Sequence, residues 1–248
     1  MKVHKIYTES SLRNYNYFIE KSASEVIVVD PLIPVQINDW LMSHGKKLTD
    51  IIITHNHPDH VAGLAALKQE HRCRVYAHHQ FSGRQELITH FIDEGTTLTL
   101  EVGQLEFLYT PGHTNDHICL LLRDENRQES VITMDTIFNA GVGNCKNGGD
   151  PKVLFQTIEK LLGILQDDVV LYPGHDYILN NLKFTLSVEP GNELVKTLVD
   201  NFKNSFDTTI GQEKKINAFF RLDETELLGL GKNREERFIQ LRRLRDNW

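Results

Sequence analysis

Long apolar runs are missing from this chain of 248 residues, and no stretch approaches the ~20 apolar residues that a membrane-crossing helix needs. The charged start, Met1-Lys-Val-His-Lys5, has no apolar segment behind it, so no secretory leader is expected. Cysteine is scarce as well. Cys73, Cys119 and Cys145 are odd in number and none lies in a CxxC spacing. That argues against a disulfide framework, fits a reducing cytoplasm, and makes each thiol a small buried hydrophobe by default. Excess positive charge is lacking too: 27 Lys and Arg face 34 Asp and Glu, a net of −7. This disfavours sequence-independent binding to a phosphate backbone. There is no GxSxG serine motif, no internal repeat and no low-complexity tract. Hydrophobic and charged contents of 40% and 25% are ordinary globular values, which removes disordered and fibrous classes. The expectation is a cytoplasmic monomer of one large domain, or one domain with an appendage, without nucleic-acid or membrane partners.

What is present begins with strands. Tyr15–Ile19 and Val26–Val29 are short β-prone runs, the second closed by Asp30-Pro31. Ile51–Thr54 is continuously apolar to its last residue, as in a strand buried on both faces, and a helix is expected over 61–69. Further strands are expected near 98–100, 105–109, 118–122, 131–133 and 169–172, with an amphipathic helix over 152–165. From residue 176 only helices are expected, over 177–187, 193–206 and 235–246. Charge is also uneven. Residues 191–248 hold 11 Lys and Arg against 10 Asp and Glu, leaving 16 against 24 before them. Mixed strands with helices, then a helical tail, predict an α/β catalytic domain over 1–173 and an all-α domain over 174–248.

Chemistry concentrates in Thr54-His-Asn-His-Pro-Asp-His60, where three imidazoles and a carboxylate fall within six residues. In extended chain His55 and His57 point the same way, and a turn at Pro58 redirects Asp59 and His60 to a second point nearby. Imidazole nitrogen and carboxylate oxygen suit zinc, iron or manganese. His113, Asp135 and His175 each follow an apolar strand, and His113 and His175 both sit in a Pro-Gly-His element. Five His and two Asp are enough for two ions sharing one carboxylate. Single histidines elsewhere, namely His4, His44, His71, His78, His79 and His90, read as surface or core residues. His117, within the strand after His113, reads as structural.

This set of residues resembles the signature of the metallo-β-lactamase superfamily, whose fold is a four-layer αββα sandwich. The stretch Pro173–Phe184, with Val188–Asn192, Asn217–Arg221 and the basic last helix, resembles the glyoxalase II (hydroxyacylglutathione hydrolase) branch. The resemblance implies a binuclear thioester hydrolase that cleaves S-lactoylglutathione to lactate and glutathione, a step of methylglyoxal detoxification, by means of a bridging hydroxide. It assigns His55, His57 and His113 to one divalent ion, zinc by preference, and Asp59, His60 and His175 to the other. Asp135 bridges them, and Asp59 also orients the hydroxide. Tyr177, Arg242 and Arg245 match contacts to the thiol carrier. One segment departs from the family pattern: Gly141-Val-Gly-Asn-Cys-Lys-Asn-Gly-Gly149 has Asn144 and Lys146 where a basic and an aromatic residue are common, and Lys146 remains a carboxylate-binding candidate. Other readings on the same fold are a lactonase or another thioesterase. A non-enzymatic metal or redox module is disfavoured by the intact His57.

Overall fold

The computed structural model describes all 248 residues, which form two compact units: Met1–Thr110 with Asn115–Ile132, and Pro111–Thr114 with Thr133–Trp248.

The first unit contains β1 (Val3–Tyr7), β2 (Tyr15–Glu20), β3 (Glu25–Val29), α1 (Pro34–His44), β4 (Lys47–Ile52), α2 (Pro58–Val61), α3 (Leu64–His71) and β5 (Arg74–His78). It continues with β6 (His90–Ile92), β7 (Thr97–Leu100), β8 (Gly103–Tyr109), β9 (Ile118–Asp124) and β10 (Glu129–Met134), whose last two residues belong to the second unit. Its first sheet has the order β1-β2-β3-β4-β5-β6. The first three strands are antiparallel and the rest parallel. Parallel neighbours need a crossover, and α1 and α3 supply two of them. Strands covered on both faces carry no alternation, so Val26–Val29 and Ile51–Ile53 are wholly buried. Phe18, Val28, Ile37, Leu41, Ile51 and Leu67 share the core beneath these helices. β7 to β10 form an antiparallel ladder. Ile118 N–H donates to the Thr54 carbonyl at 3.0 Å, so β9 starts where the chain leaves β4. The helix expected over 61–69 is two helices, parted at Ala62-Gly63, where Gly63 N–H donates to the Pro31 carbonyl at 2.8 Å.

The second unit contains β11 (Ile137–Phe138), β12 (Gly141–Val142), α4 (Pro151–Ile164), β13 (Val170–Pro173), α5 (Ile178–Val188), α6 (Glu193–Asp200), β14 (Thr208–Thr209), α7 (Ile210–Ile216) and α8 (Arg234–Asn247). The Asp150 carboxylate accepts from Lys152 and Val153 N–H and so starts α4, with Pro151 in the first helical position. Leu154, Ile158 and Leu161 form its buried stripe. β11 and β12 make a short hairpin, and β13 runs antiparallel to β14. Leu182, Val195 and Ile216 from α5, α6 and α7 meet in a core that also takes Ala140 from the hairpin. Phe155 of α4, Phe219 and Phe238 of α8 make a chain of ring contacts at 5.5 and 5.3 Å. The helix expected over 193–206 stops at Asp200. Asn201 ends it, its side chain donating to the Thr197 carbonyl at 2.9 Å, the competition with backbone bonding that disfavours Asn inside helices. The α/β class with two sheets and a helical C-terminal region is thus present. No helix is long and apolar enough to cross a membrane.

Candidate metal centre

In the first unit the chain stays extended from β4 through His57, whose φ and ψ of −92° and 146° make it the residue before α2. Pro58 then begins the helix, because its fixed φ suits the first turn and its missing N–H costs nothing there. The two halves of the motif therefore aim differently, as the sequence predicts. His55 Nε2 lies 3.1 Å from His57 Nδ1. His60 Nε2 lies 3.3 Å from Asp59 Oδ2.

Two side chains not singled out from the sequence hold this half in place. Asp30 Oδ2 lies 2.8 Å from His60 Nδ1, with both side chains 1% exposed. Its carboxylate also accepts from Thr54 N–H and Oγ1–H at 2.7 and 2.5 Å. Engaging one imidazole nitrogen in this way fixes the ring and leaves Nε2 as the donor for an ion. Burial pushes the Asp30 carboxyl up, against the His60 and Thr54 hydrogen bonds that hold it down. Asn14 Nδ2–H donates to Asp59 Oδ2 at 2.7 Å. Asp30 had a readable signal, an aspartate closing an apolar strand, the pattern that marked Asp135. Asn14 had none. The His117 ring is wholly buried beside His55, 4.9 Å between centroids, with Nδ1 3.0 Å from Thr110 Oγ1.

In the second unit Asp135 follows directly on β10. Its Oδ2 lies 3.4 Å from His113 Nε2 and 3.2 Å from His175 Nε2, so two imidazoles converge on one carboxylate oxygen. His113 Nδ1–H donates to the Asn144 carbonyl at 2.7 Å, which turns Nε2 toward Asp135. The backbone presses close. A Cβ at Gly143 would stand 2.0 Å from the Asp135 carbonyl oxygen, a place only glycine fits, and one at Gly174 would stand 2.2 Å from Asp135 Oδ1 and displace that carboxylate. Imidazole nitrogens paired with carboxylate oxygens, each ring pinned through its other nitrogen or its neighbours, form a donor set that suits divalent metal.

The same unit holds a cavity of about 230 Å³, lined by Phe138, Asn144, Lys146, Tyr177, Arg242 and Arg245 among others. All four residues expected to meet the thiol carrier line it, and they differ in their partners. The Tyr177 ring lies parallel to that of His175, 4.9 Å away and at 5°. Lys146 Nζ donates to the Asp246 carbonyl at 3.0 Å. Arg242 is only 5% exposed. Its Nη1 donates to the Val142 and Gly143 carbonyls at 3.0 and 3.2 Å, while Nε and Nη2 donate to Asp246 Oδ1 at 3.1 and 2.9 Å. Burial pulls its pKa below the ordinary arginine value, opposed by the Asp246 charge. Arg245 has a single hydrogen bond, Nη2 to Asn181 Oδ1 at 3.3 Å, and lies over the Phe184 and Trp248 rings at 5.6 and 5.2 Å. Asn181, Phe138 and Asp246 complete the wall and were not foreseen, since an Asn inside a helix and a Phe ending a strand carry no signal of their own.

Residues 12–175 match the family model of the metallo-beta-lactamase superfamily, and residues 176–248 match that of the hydroxyacylglutathione hydrolase C-terminus. The hydroxyacylglutathione hydrolase of Nitrosococcus oceani is 36% identical over 267 aligned residues, covering 100% of both chains. That of Polaromonas sp. is 36% identical over 265, again covering 100% of both. Among solved structures, ETHE1 from Myxococcus xanthus superposes with a TM-score of 0.72 at 23% identity, covering 98% of this chain and 91% of that one. A metallo-beta-lactamase from Staphylococcus aureus gives 0.71 at 20%, covering 99% and 72%. At these identities the structural likeness is one of fold.

Proposed function

The chain belongs to the metallo-β-lactamase superfamily, in its hydroxyacylglutathione hydrolase branch, and from that membership we propose that it hydrolyses S-lactoylglutathione to lactate and glutathione. One observation carries the reading beyond the family likeness. The cavity with Lys146, Tyr177 and Arg245 lies in the same unit as His113, Asp135 and His175, and Tyr177 stacks directly on His175. A carrier bearing carboxylates would be gripped at the basic end while its thioester reached the histidines. A neutral lactone has no use for such a pocket.

The metal assignment is part of the proposal. His55, His57 and His113 hold one divalent ion, Asp59, His60 and His175 the other, and Asp135 is shared. Zinc is the preferred metal, with iron or manganese able to use the same donors. When bound, such a pair supplies a water whose pKa falls from 15.7 toward about 7 and a positive charge for the developing oxyanion. The protein's own residues do the rest. Asp59, steadied by Asn14, orients the attacking water at its carboxylate. Asp30 keeps the His60 ring turned so that Nε2 faces Asp59. Lys146, Tyr177, Arg242 and Arg245, within a helical substrate-binding portion over 174–248 and the segment before it, hold the carrier. Glutathione departs as a thiolate, a good leaving group, so no separate acid is needed. The enzyme is proposed to act as a cytoplasmic monomer on this small-molecule thioester, without nucleic-acid or membrane partners.

The test is turnover of S-lactoylglutathione against a panel of other thioesters and lactones, with metal content measured on the same sample. Close to two ions per chain and a clear preference for the glutathione thioester are expected. A higher kcat/KM on a lactone would move the chain to another branch of the superfamily.

A further inference from the structure

Glu213 of α7 is wholly buried, does not line the cavity, and has no part in the chemistry above. Its two carboxylate oxygens accept the Ala140 N–H at 3.0 and 2.9 Å. Oε1 also accepts from Thr208 Oγ1–H at 2.7 Å, and Oε2 from Asn217 Nδ2–H at 2.8 Å. These partners are neutral donors, so charge pairing does not explain a carboxylate here. Filling the place needs no carboxylate either, since an apolar side chain would do so without the cost of desolvation. What the carboxylate reaches is the turn of the β11–β12 hairpin. Ala140 has φ of 58°, a left-handed conformation that a non-glycine residue keeps only when its surroundings impose it. Asn217, one turn along α7, donates to the Gly141 carbonyl at 3.1 Å and holds the next residue of the same turn.

The hairpin in turn reaches Tyr177, Arg242 and, through Asn181, Arg245 of the carrier site. The Phe138 ring contacts the rings of His175 and Tyr177, at 5.7 and 5.3 Å. The Val142 and Gly143 carbonyls accept from Arg242. The Asn139 carbonyl accepts from Asn181 Nδ2 at 3.0 Å, and Asn181 Oδ1 accepts from Arg245. Each arginine is therefore tied to the hairpin, Arg242 directly and Arg245 through Asn181.

We infer that Glu213, with Asn217, is a positioning residue for the thiol-carrier site, fixing the 137–142 hairpin on which Phe138, Arg242 and Arg245 are aligned. The inference rests on the proposed glutathione-thioester activity. It assigns a role to Asn217, the first residue of the Asn217–Arg221 segment, that the chemistry leaves unused.

The test is Glu213→Gln, which keeps the shape but turns one acceptor into a donor facing other donors. KM for S-lactoylglutathione should rise about tenfold, with kcat and metal content within about twofold of the parent, the pattern of lost binding rather than lost chemistry. Amide hydrogen exchange in the peptide over 137–144 should quicken, and kcat/KM on a small neutral thioester should stay unchanged. An unchanged KM, or an equal loss on both thioesters, overturns the inference. Thr208→Val, which removes one donor and keeps the carboxyl, should move KM and exchange the same way by a smaller factor, and serves if the first variant does not fold. A parent enzyme inactive on S-lactoylglutathione would instead overturn the functional reading, and the positioning role with it.

Discussion

Asp135 Oδ2 stands within 3.4 Å of two imidazole nitrogens, an arrangement that leaves an isosteric amide little to offer. Asp135→Asn is expected to lower metal content and kcat together, as measured by metal analysis and turnover on one sample. The two arginines of α8 should separate. Arg245→Ala should raise KM for the glutathione thioester by about tenfold with unchanged thermal stability, on the scale of one charged hydrogen bond. Arg242→Ala should also lower Tm, because its guanidinium closes buried carbonyls at Val142 and Gly143 and such bonds contribute roughly 1.5–3 kcal/mol. Equal effects of the two substitutions on Tm would show that Arg242 is no more structural than its neighbour. At this scale the sequence was legible where several ligands crowd a short stretch, as in His55–His60. It was opaque where a residue works through a distant partner. Asn14 meets Asp59 across 45 residues and Glu213 meets Ala140 across 73, and no local spacing encodes either pairing.

Elements follow the same rule. The continuous apolar runs at 26–29 and 51–53 were readable because strands buried on both faces need no alternation. α1 was missed, although Pro34 opens it and Gly45, at φ of 60°, closes it, because Ile37 and Leu41 are its only buried residues and leave a weak stripe. α7 was missed because it has only seven residues and its Thr209–Gln212 capping box offsets a poor pattern. That helix carries the clearest pH dependence. Burial pushes the Glu213 carboxyl up to about 7, against hydrogen bonds from Ala140, Thr208 and Asn217. The folded state then binds more protons than the unfolded chain between the ordinary glutamate value, near 4.5, and about 7. Stability from this group is complete below that window and is lost as pH rises through it. The difference in Tm between parent and Glu213→Gln, followed from pH 4.5 to 8, should therefore change steadily across that range. A constant difference would place the Glu213 pKa at its ordinary value.

Over the whole molecule, charge is divided rather than spread. The first 190 residues carry 24 acidic against 16 basic side chains, while the last 58 are nearly balanced and end in an arginine-rich helix. A carrier with two carboxylates should thus be repelled by most of the surface and attracted to one part of it. KM for the glutathione thioester is expected to rise as salt goes from about 0.05 to 0.5 M, since exposed charges are screened over a Debye length near 10 Å at 0.1 M. Turnover of a neutral thioester should hold constant over the same range. The pressure of Gly143 and Gly174 on Asp135 has a bearing on how such an enzyme can diversify. A side chain at Gly174 strikes the Asp135 carboxylate and one at Gly143 strikes the Asp135 backbone carbonyl, so neither position takes anything larger without moving Asp135. Immediately after Gly143 the chain is open again: Asn144, Lys146 and Asn147 are half-buried or exposed. Innovation in what the enzyme accepts has therefore a corridor only a few residues long, fenced at one end by the chemistry itself.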